Sequence, residues 1–382
     1  MTGVVLAIVV LGVVYWLADM AAVYAKTRHA KNSAPAVTDA SLPPVTVLKP
    51  IKGMDGGLYD SLMSFVRQDY PRFELLFGVQ SPDDPALPLL ERLRAEYPDR
   101  DIRIVIASES VGYNPKVNNL VGMIPHARHE FMVISDSNVR VGPDYLRRNV
   151  AYFADDRVGL VSNLIRGAGG RGIAARLECL HLNSFVIGNV CLADLLADRQ
   201  LVVGKSIFFR RSQMEAMGGL EQFANYLAED YLMGEVYRRN GYKVVVSPYM
   251  VDTWLSAWSS RSFLNRHTRW AKLRRRLNPW AYAGELLTNF PFWTLVYAAC
   301  AGFGSRALCA GGCLWLGKVL GDCLLNRRIG SPLPGSAFLL SPFKDVLIGA
   351  IWLLPFLSST TRWRGNTLRV AGKSLLIPAG RT

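Results

Sequence analysis

Residues 131–138, Phe131-Met132-Val133-Ile134-Ser135-Asp136-Ser137-Asn138, carry the reading on which the architecture turns. A β-rich apolar run, FMVIS (131–135), passes straight into Asp136-Ser137-Asn138, so a carboxylate emerges where the strand leaves its sheet. Runs of the same kind recur on either side: VTVLK (45–49), FELLFGV (73–79), IRIVIA (102–107), VGLVSN (158–163), IFF (207–209) and KVVVS (243–247). Between the early ones, residues 56–68 and 86–97 repeat apolar side chains at three and four, the helical period. This alternation predicts an α/β fold, a mostly parallel sheet covered by helices. In open sheets of that kind ligands bind beyond the carboxyl ends of the strands, so the residues that follow strands are inspected first.

The flanks are different. The chain has 382 residues, half of them hydrophobic, and 44 Lys+Arg against 30 Asp+Glu give a net charge of +14. Its mean hydropathy of +0.16 is high for so basic a composition, which excludes a disordered chain and points to a membrane. A nucleic-acid partner would explain the charge but not the apolar runs, and none is expected. Residues 3–18 are uninterruptedly apolar and the run extends to residue 25, where roughly 20 residues suffice to span hydrocarbon. The basic residues Lys26, Arg28, His29 and Lys31 follow the run instead of preceding it, which favours an anchor over a cleaved signal peptide and puts residue 26 onward on the cytoplasmic side.

The expected organisation is an anchor (1–25), a small, Pro-containing linker (26–44), a cytoplasmic catalytic domain (45–280), a C-terminal transmembrane region (281–359) and a tail (360–382). Within the C-terminal region, 281–304, 307–325 and 346–359 read as three spans, the second with Lys318 and Asp322 placed to pair at i, i+4 or else re-entrant. Three spans would leave the tail outside, against the preference of Arg362, Arg364, Arg369 and Lys373. Residues 172–197, apolar with interspersed polar groups, read as interfacial helices over a lipid cleft, with His181 as a packing residue. The six cysteines form no CxxC pair and no zinc-type spacing, and read as packing residues.

Acids recur beyond the strands. FELLFGV leads into Gln80-Ser81-Pro82-Asp83-Asp84-Pro85, a turn by composition but also acid on the edge where a nucleotide would lie. Asp136 is either a turn residue or a hard-cation ligand holding Mg²⁺ or Mn²⁺ against a nucleotide diphosphate. Asn114-Pro115-Lys116-Val117-Asn118-Asn119 offers a lysine and amides for a phosphate or uracil. Glu229 and Asp230 open a helical pattern, as caps or as the source of a general base. Arg266 and Arg269, at i, i+3 beside Trp270, are spaced to clamp a diphosphate, while Lys272, Arg274, Arg275 and Arg276 suit a juxtamembrane collar.

Asp84, Asp136, Asp230 and the Arg266–Trp270 segment together resemble the D, D, D, (Q/R)xxRW signature of membrane-embedded inverting glycosyltransferases with a GT-A catalytic domain. The blocks VLKPIKG (47–53), VQSPDDPA (79–86), VGYNPKVNNL (111–120), ISDSNVRV (134–141), YLAEDY (226–231) and RHTRW (266–270) resemble those of ceramide glucosyltransferases. The resemblance spans about residues 45–275 and includes the lack of a second acid after Asp136. It implies that Asp84 holds the nucleoside of a UDP-sugar, Asp136 its diphosphate through a divalent cation, Asp230 acts as base, and Arg266, Arg269 and Trp270 close over the diphosphate, with Lys116 a further donor contact. The acceptor it implies is a membrane lipid, ceramide or, as in similar bacterial enzymes of the inner membrane, a hopanoid polyol receiving N-acetylhexosamine. Gly204-Lys205-Ser206 is a candidate sugar contact. A processive polysaccharide synthase shares the three acids but needs more spans. A non-enzymatic basic scaffold would leave the acids as turns and caps.

Overall fold

The computed structural model describes residues 2–28, 42–196, 200–256, 258–363 and 366–378. Most of the expected linker and the arginine at 364 lie outside these residues, as do the basic residues at 29 and 31. The chain divides into two compact units, one of residues 29–166 and 198–256, the other of residues 1–28, 167–197 and 257–382.

The first unit is built on an eight-stranded sheet: β1 (Val45–Pro50), β2 (Phe73–Val79), β3 (Asp101–Ile106), β4 (Phe131–Ile134), β5 (Val139–Arg140), β6 (Val158–Gly169), β7 (Ile207–Arg210) and β8 (Lys243–Leu255), in the spatial order β3-β2-β1-β4-β7-β6-β8-β5. The half β3-β2-β1-β4 is parallel. Helices Leu58–Val66, Leu87–Glu96 and Pro115–Met123 provide the crossovers that parallel neighbours require. Beyond β4 the pairing turns antiparallel, β4 with β7, β7 with β6, and β5 with β8. β6 and β8 run well past the runs read from sequence, their later residues, Leu164–Gly169 and Pro248–Leu255, being too mixed to show a strand period. The core under the sheet contains Leu48, Leu76, Leu120, Met132, Phe209 and Met233, all essentially inaccessible. The order 3-2-1-4 reverses direction between β1 and β4, and that switch point is where an open sheet leaves a crevice for a ligand.

The second unit is helical. Among the described residues four helical segments are long and apolar enough to cross a membrane: Thr2–Thr27, Ile173–Leu196, Ser305–Arg328 and Gly335–Leu357. Ile173–Leu196, read from sequence as interfacial, is one such segment, continuous through a π-helical turn at Leu182–Val186. Residues 281–304, read as one span, instead contain two short helices, Pro279–Leu287 and Phe290–Cys300. Asn289 caps the second by accepting from the Phe292 amide, and Pro291 fits its first turn, so the helix must restart there. The pair Lys318–Asp322 forms at 2.7 Å, buried, on the third long helix. Glycines let these helices approach: a Cβ at Gly321 would lie 2.2 Å from the Trp16 ring, and one at Gly188 2.8 Å from Asp19. The described part of the tail forms an antiparallel sheet of Thr360–Trp363, Asn366–Val370 and Leu376–Pro378. Cys179 and Cys191 are buried, and Cys309 and Cys313 exposed.

Candidate active site

At the switch point β1 ends in Lys49-Pro50 and β4 is followed by Ser135 and Asp136. The Leu48–Ile134 register brings these ends side by side. Lys49 is fully buried; its ammonium lies over the Phe65 ring and donates to the Asp136 backbone oxygen at 2.7 Å, which fixes the turn that presents the Asp136 carboxylate. Burial pushes the Lys49 pKa well below its ordinary value.

Both oxygens of that carboxylate carry ammonium groups, Lys116 at 2.9 Å and Lys205 at 2.8 Å. Lys116 sits in the first turn of Pro115–Met123, whose N-cap Asn114 accepts from the amides of Lys116 and Val117. From there its ammonium reaches Glu229 at 3.0 Å and the Gly204 carbonyl at 2.9 Å. Asn114 also donates to Glu229, at 3.2 Å, and Lys205 to Asn138, at 2.9 Å. Burial would raise the Asp136 pKa, but the two lysines outweigh it and hold the group well below the usual carboxylate range. Burial would lower Lys116, and Asp136, Glu229 and Asp230 outweigh that in turn. Both groups stay charged at neutral pH.

Asp230 behaves differently. It opens the helix Glu229–Arg239 and accepts from the Gly204 amide at 2.7 Å and from the Tyr231 amide at 2.8 Å. Burial, and after it the adjacent Glu229 carboxylate, push its pKa up to about 6 against the pull of Lys116. A carboxyl poised there exchanges a proton near neutral pH, as a general base must. Gly204 is required by the packing: a Cβ would lie 2.8 Å from the Asp230 Oδ2 and 3.1 Å from the Lys116 Nζ.

Asp84 follows β2 and is nearly buried. It accepts from the Gly53 amide with both oxygens at 3.1 Å and from the Ala86 amide at 2.9 Å. Gly53, at φ 70°, takes the left-handed conformation that residues with a Cβ disfavour, and so turns its amide toward the carboxylate. Lys116, Asp136 and Asp230 are thus brought into one network with Glu229, Gly204 and Lys205. Asp84 organises a neighbouring loop through two backbone amides, those of Gly53 and Ala86.

Arg266, Arg269 and Trp270 lie in the other unit, on the helix Ser260–Leu277. Arg266 pairs with buried Glu178 at 2.9 Å, and its guanidinium lies 4.2 Å from the Trp270 ring. His267 holds the other Glu178 oxygen at 2.6 Å, and burial lowers its pKa although Glu178 opposes this.

Sequence reasoning passed over Lys49, and weighed Glu229 only as a cap or base and Lys205 only as part of a sugar contact. Lys49 and Glu229 stand in blocks quoted for the resemblance, but only the fold brings Lys49 and Lys205 to Asp136 and Glu229 to Lys116.

A divalent cation finds the Asp136 carboxylate here, a hard oxygen donor at the switch point. Among the described residues no group of three or more His, Cys, Asp or Glu side chains is arranged to hold a metal. The donor set fits a cation held by one carboxylate and completed by phosphate oxygens, the usual manner for Mg²⁺, and does not fit an all-protein cage.

Fold and acids together define a glycosyltransferase of the GT-A type. The mannosyltransferase PcManGT from Pyrobaculum calidifontis, solved in complex with GDP-Man and Mn²⁺, superposes with a TM-score of 0.53 over 92% of this chain and 98% of its own, at 19% sequence identity, a likeness of fold. The model of glycosyl transferase family 21 matches residues 4–376, and the chain belongs to that family. Among similar proteins are ceramide glucosyltransferase 3 of Caenorhabditis elegans, 32% identical over 242 residues, and ceramide glucosyltransferase 1 of the same organism, 32% identical over 251 residues. Each match covers 63% of this chain and 52% of the relative, so the chain spans about half the length of these relatives.

Proposed function

We propose that this glycosyltransferase moves a hexose from a UDP-sugar to a hydroxyl of a membrane lipid, with inversion, at the cytoplasmic face of a membrane. The observation that carries the reading is the pairing of unlike groups in one network. Asp230, with a pKa of about 6, stands beside a permanently ionised Asp136 flanked by two ammoniums. Displacement at an anomeric carbon needs both, a proton acceptor for the incoming alcohol and charge stabilisation for the leaving diphosphate.

Asp230 takes the proton of the lipid hydroxyl as its oxygen bonds to the anomeric carbon. The bond from that carbon to the diphosphate oxygen breaks, and its electron pair leaves with UDP. Attack opposite to departure inverts the centre. Lys116 and Lys205 are placed to exchange a carboxylate for phosphate oxygens, and Arg266 and Arg269 are the further candidates for the diphosphate, with Trp270 for the sugar and Asp84 for the nucleoside loop. Asp136 would hold a divalent cation, which supplies charge neutralisation for the diphosphate. Calorimetry checks this: UDP affinity of the unaltered chain should rise with Mn²⁺ or Mg²⁺, and Asp136→Ala should abolish the rise. Equal UDP affinity with and without cation removes the cation from the reading.

Ceramide is the acceptor favoured by the similarity to ceramide glucosyltransferases, and Lys26 in the last turn of the first helix and Arg28 just past it favour the cytoplasmic side. A hopanoid polyol with UDP-N-acetylglucosamine is the second reading, since it places the same demands on the donor site. The test is purified full chain with UDP-glucose or UDP-N-acetylglucosamine and each lipid, the product read by mass spectrometry. One sugar on one lipid is expected. Consumption of neither donor with either lipid defeats the proposal, and a product with many sugars transfers it to a polymer synthase.

A further inference from the structure

Glu178 stands on the helix Ile173–His181 with its side chain completely buried. A carboxylate in such a place is strongly disfavoured unless charge and hydrogen bonds compensate it. Two consecutive residues of the helix Ser260–Leu277 do so, Arg266 with Nε 2.9 Å from one carboxylate oxygen and His267 with Nε2 2.6 Å from the other. Burial holds His267 below its ordinary pKa, so at neutral pH it is an uncharged donor, and of the two it is Arg266 that brings the balancing charge. Neither Arg266 Nε nor the Glu178 oxygen it faces completes a hydrogen bond, so this contact is held by charge.

The rest of the Arg266 guanidinium sets it apart from an arginine that only ties elements together. Arg166 commits both Nε and a terminal nitrogen to Asp252. Arg266 turns its Nε to Glu178, and among the described residues no hydrogen bond engages its two terminal nitrogens. Neither of them is a buried atom lacking a partner, so both reach solvent from a side chain that is only 14% exposed. The plane is confined as well: the guanidinium carbon lies 4.2 Å from the Trp270 ring and 5.3 Å from the Trp258 ring. With its inner edge against a carboxylate and indoles beside it, the group presents a fixed outer fork of N–H donors, the geometry that meets phosphate oxygens in pairs. A long side chain ordered before its ligand arrives loses less freedom on binding.

We infer that Glu178 is a positioning residue of the donor site, acting through Arg266 by holding its guanidinium ready for phosphate. The inference rests on the reading above in which Arg266 binds the diphosphate. Calorimetry on the full chain in detergent measures affinity for UDP and for uridine, which lacks the phosphates, and thermal melts report folding. Glu178→Gln keeps the size and removes the charge, so UDP affinity should fall roughly tenfold or more while uridine binds as before. Arg266→Ala should show the same pattern. Adding Glu178→Gln to Arg266→Ala should cause no further loss, because the carboxylate then has nothing to act through. Where Glu178→Gln does not fold, Glu178→Asp, which keeps the charge on a shorter arm, takes its place in the cycle with a loss of about threefold expected.

Undiminished UDP affinity in the folded Glu178 variant overturns the inference, and if Arg266→Ala has lost affinity the diphosphate reading stands without it. Parallel loss of UDP and uridine makes Glu178 a packing residue and overturns the inference too. So do additive losses in the double variant. Unchanged UDP affinity in Arg266→Ala removes Arg266 from the donor site and this inference with it.

Discussion

Two charged clusters, built from nearly the same residue types, teach opposite lessons. In the sheet unit Lys116 and Lys205 face three acids, Asp136, Glu229 and Asp230, and the cluster keeps some access to solvent. In the helical unit Lys318 and Lys344 face two, Asp322 and Asp345, with Lys344 and Asp322 completely buried. A matched set in a dry place has no state to change to and acts as a structural lock. An unmatched set holds one group, Asp230, between protonation states, and its lysines can trade a carboxylate for another anion. Excess charge and partial access, more than the residue types, separate a working cluster from a structural one.

The sharpest way to break this comparison is Asp230→Asn. It keeps the shape and removes the proton acceptor, so turnover should fall by about 10²- to 10⁴-fold with UDP affinity retained, measured by product formation and calorimetry. Unchanged turnover would make Asp230 a helix cap. Next comes Lys318→Met, which leaves Asp322 buried and alone. Losing one partner of a buried pair costs about 3–5 kcal/mol, and Lys318→Met with Asp322→Leu should recover much of it. Thermal melts in detergent would read this, and no recovery in the double variant would show that Lys318 does more than neutralise Asp322 within its own helix. Gly204→Ala should lower turnover about ten- to a hundredfold, because its Cβ must displace the Asp230 carboxylate or the Lys116 ammonium. The smallest effect is the most specific. The kcat/KM profile should fall below about pH 6, where Asp230 becomes protonated and can no longer accept a proton. Glu229→Gln removes the charge that helps to raise Asp230, so the acid limb should move to lower pH. An unmoved limb would assign that limb to another group.

The parallel half of the sheet was legible because its strands are short apolar runs separated by helical periods, and four parallel strands demand crossovers. The antiparallel half was less so. β6 and β8 are long and β5 has only two residues, so pattern alone neither bounded the first two nor found the third. Asp136 and Asp230 could be picked out, one after a strand and one opening a helix, yet nothing in either stretch says that Lys116 would lie between Asp136 and Glu229. Ile173–Leu196 reads as interfacial in the sequence because Glu178, His181, Asn183 and Asp194 dilute its apolar pattern, although its helix is long enough to span a membrane. In the fold these groups find partners or line a cavity: Glu178 holds Arg266 and His267, Asn183 bonds Asn326, and Asp194 meets Lys26 at 2.5 Å.

The order of residues was sufficient for the class of sheet, the apolar first helix and the candidate acids, since periodicity and residue type are local properties that a window of ten or twenty positions reveals. Which acid would hold its proton near neutrality, which lysines would share a carboxylate, and which buried carboxylate would face Arg266 were decided only in three dimensions. Electrostatic energies depend on distance and on solvent access, and for residues a hundred positions apart in the chain both are set by the fold.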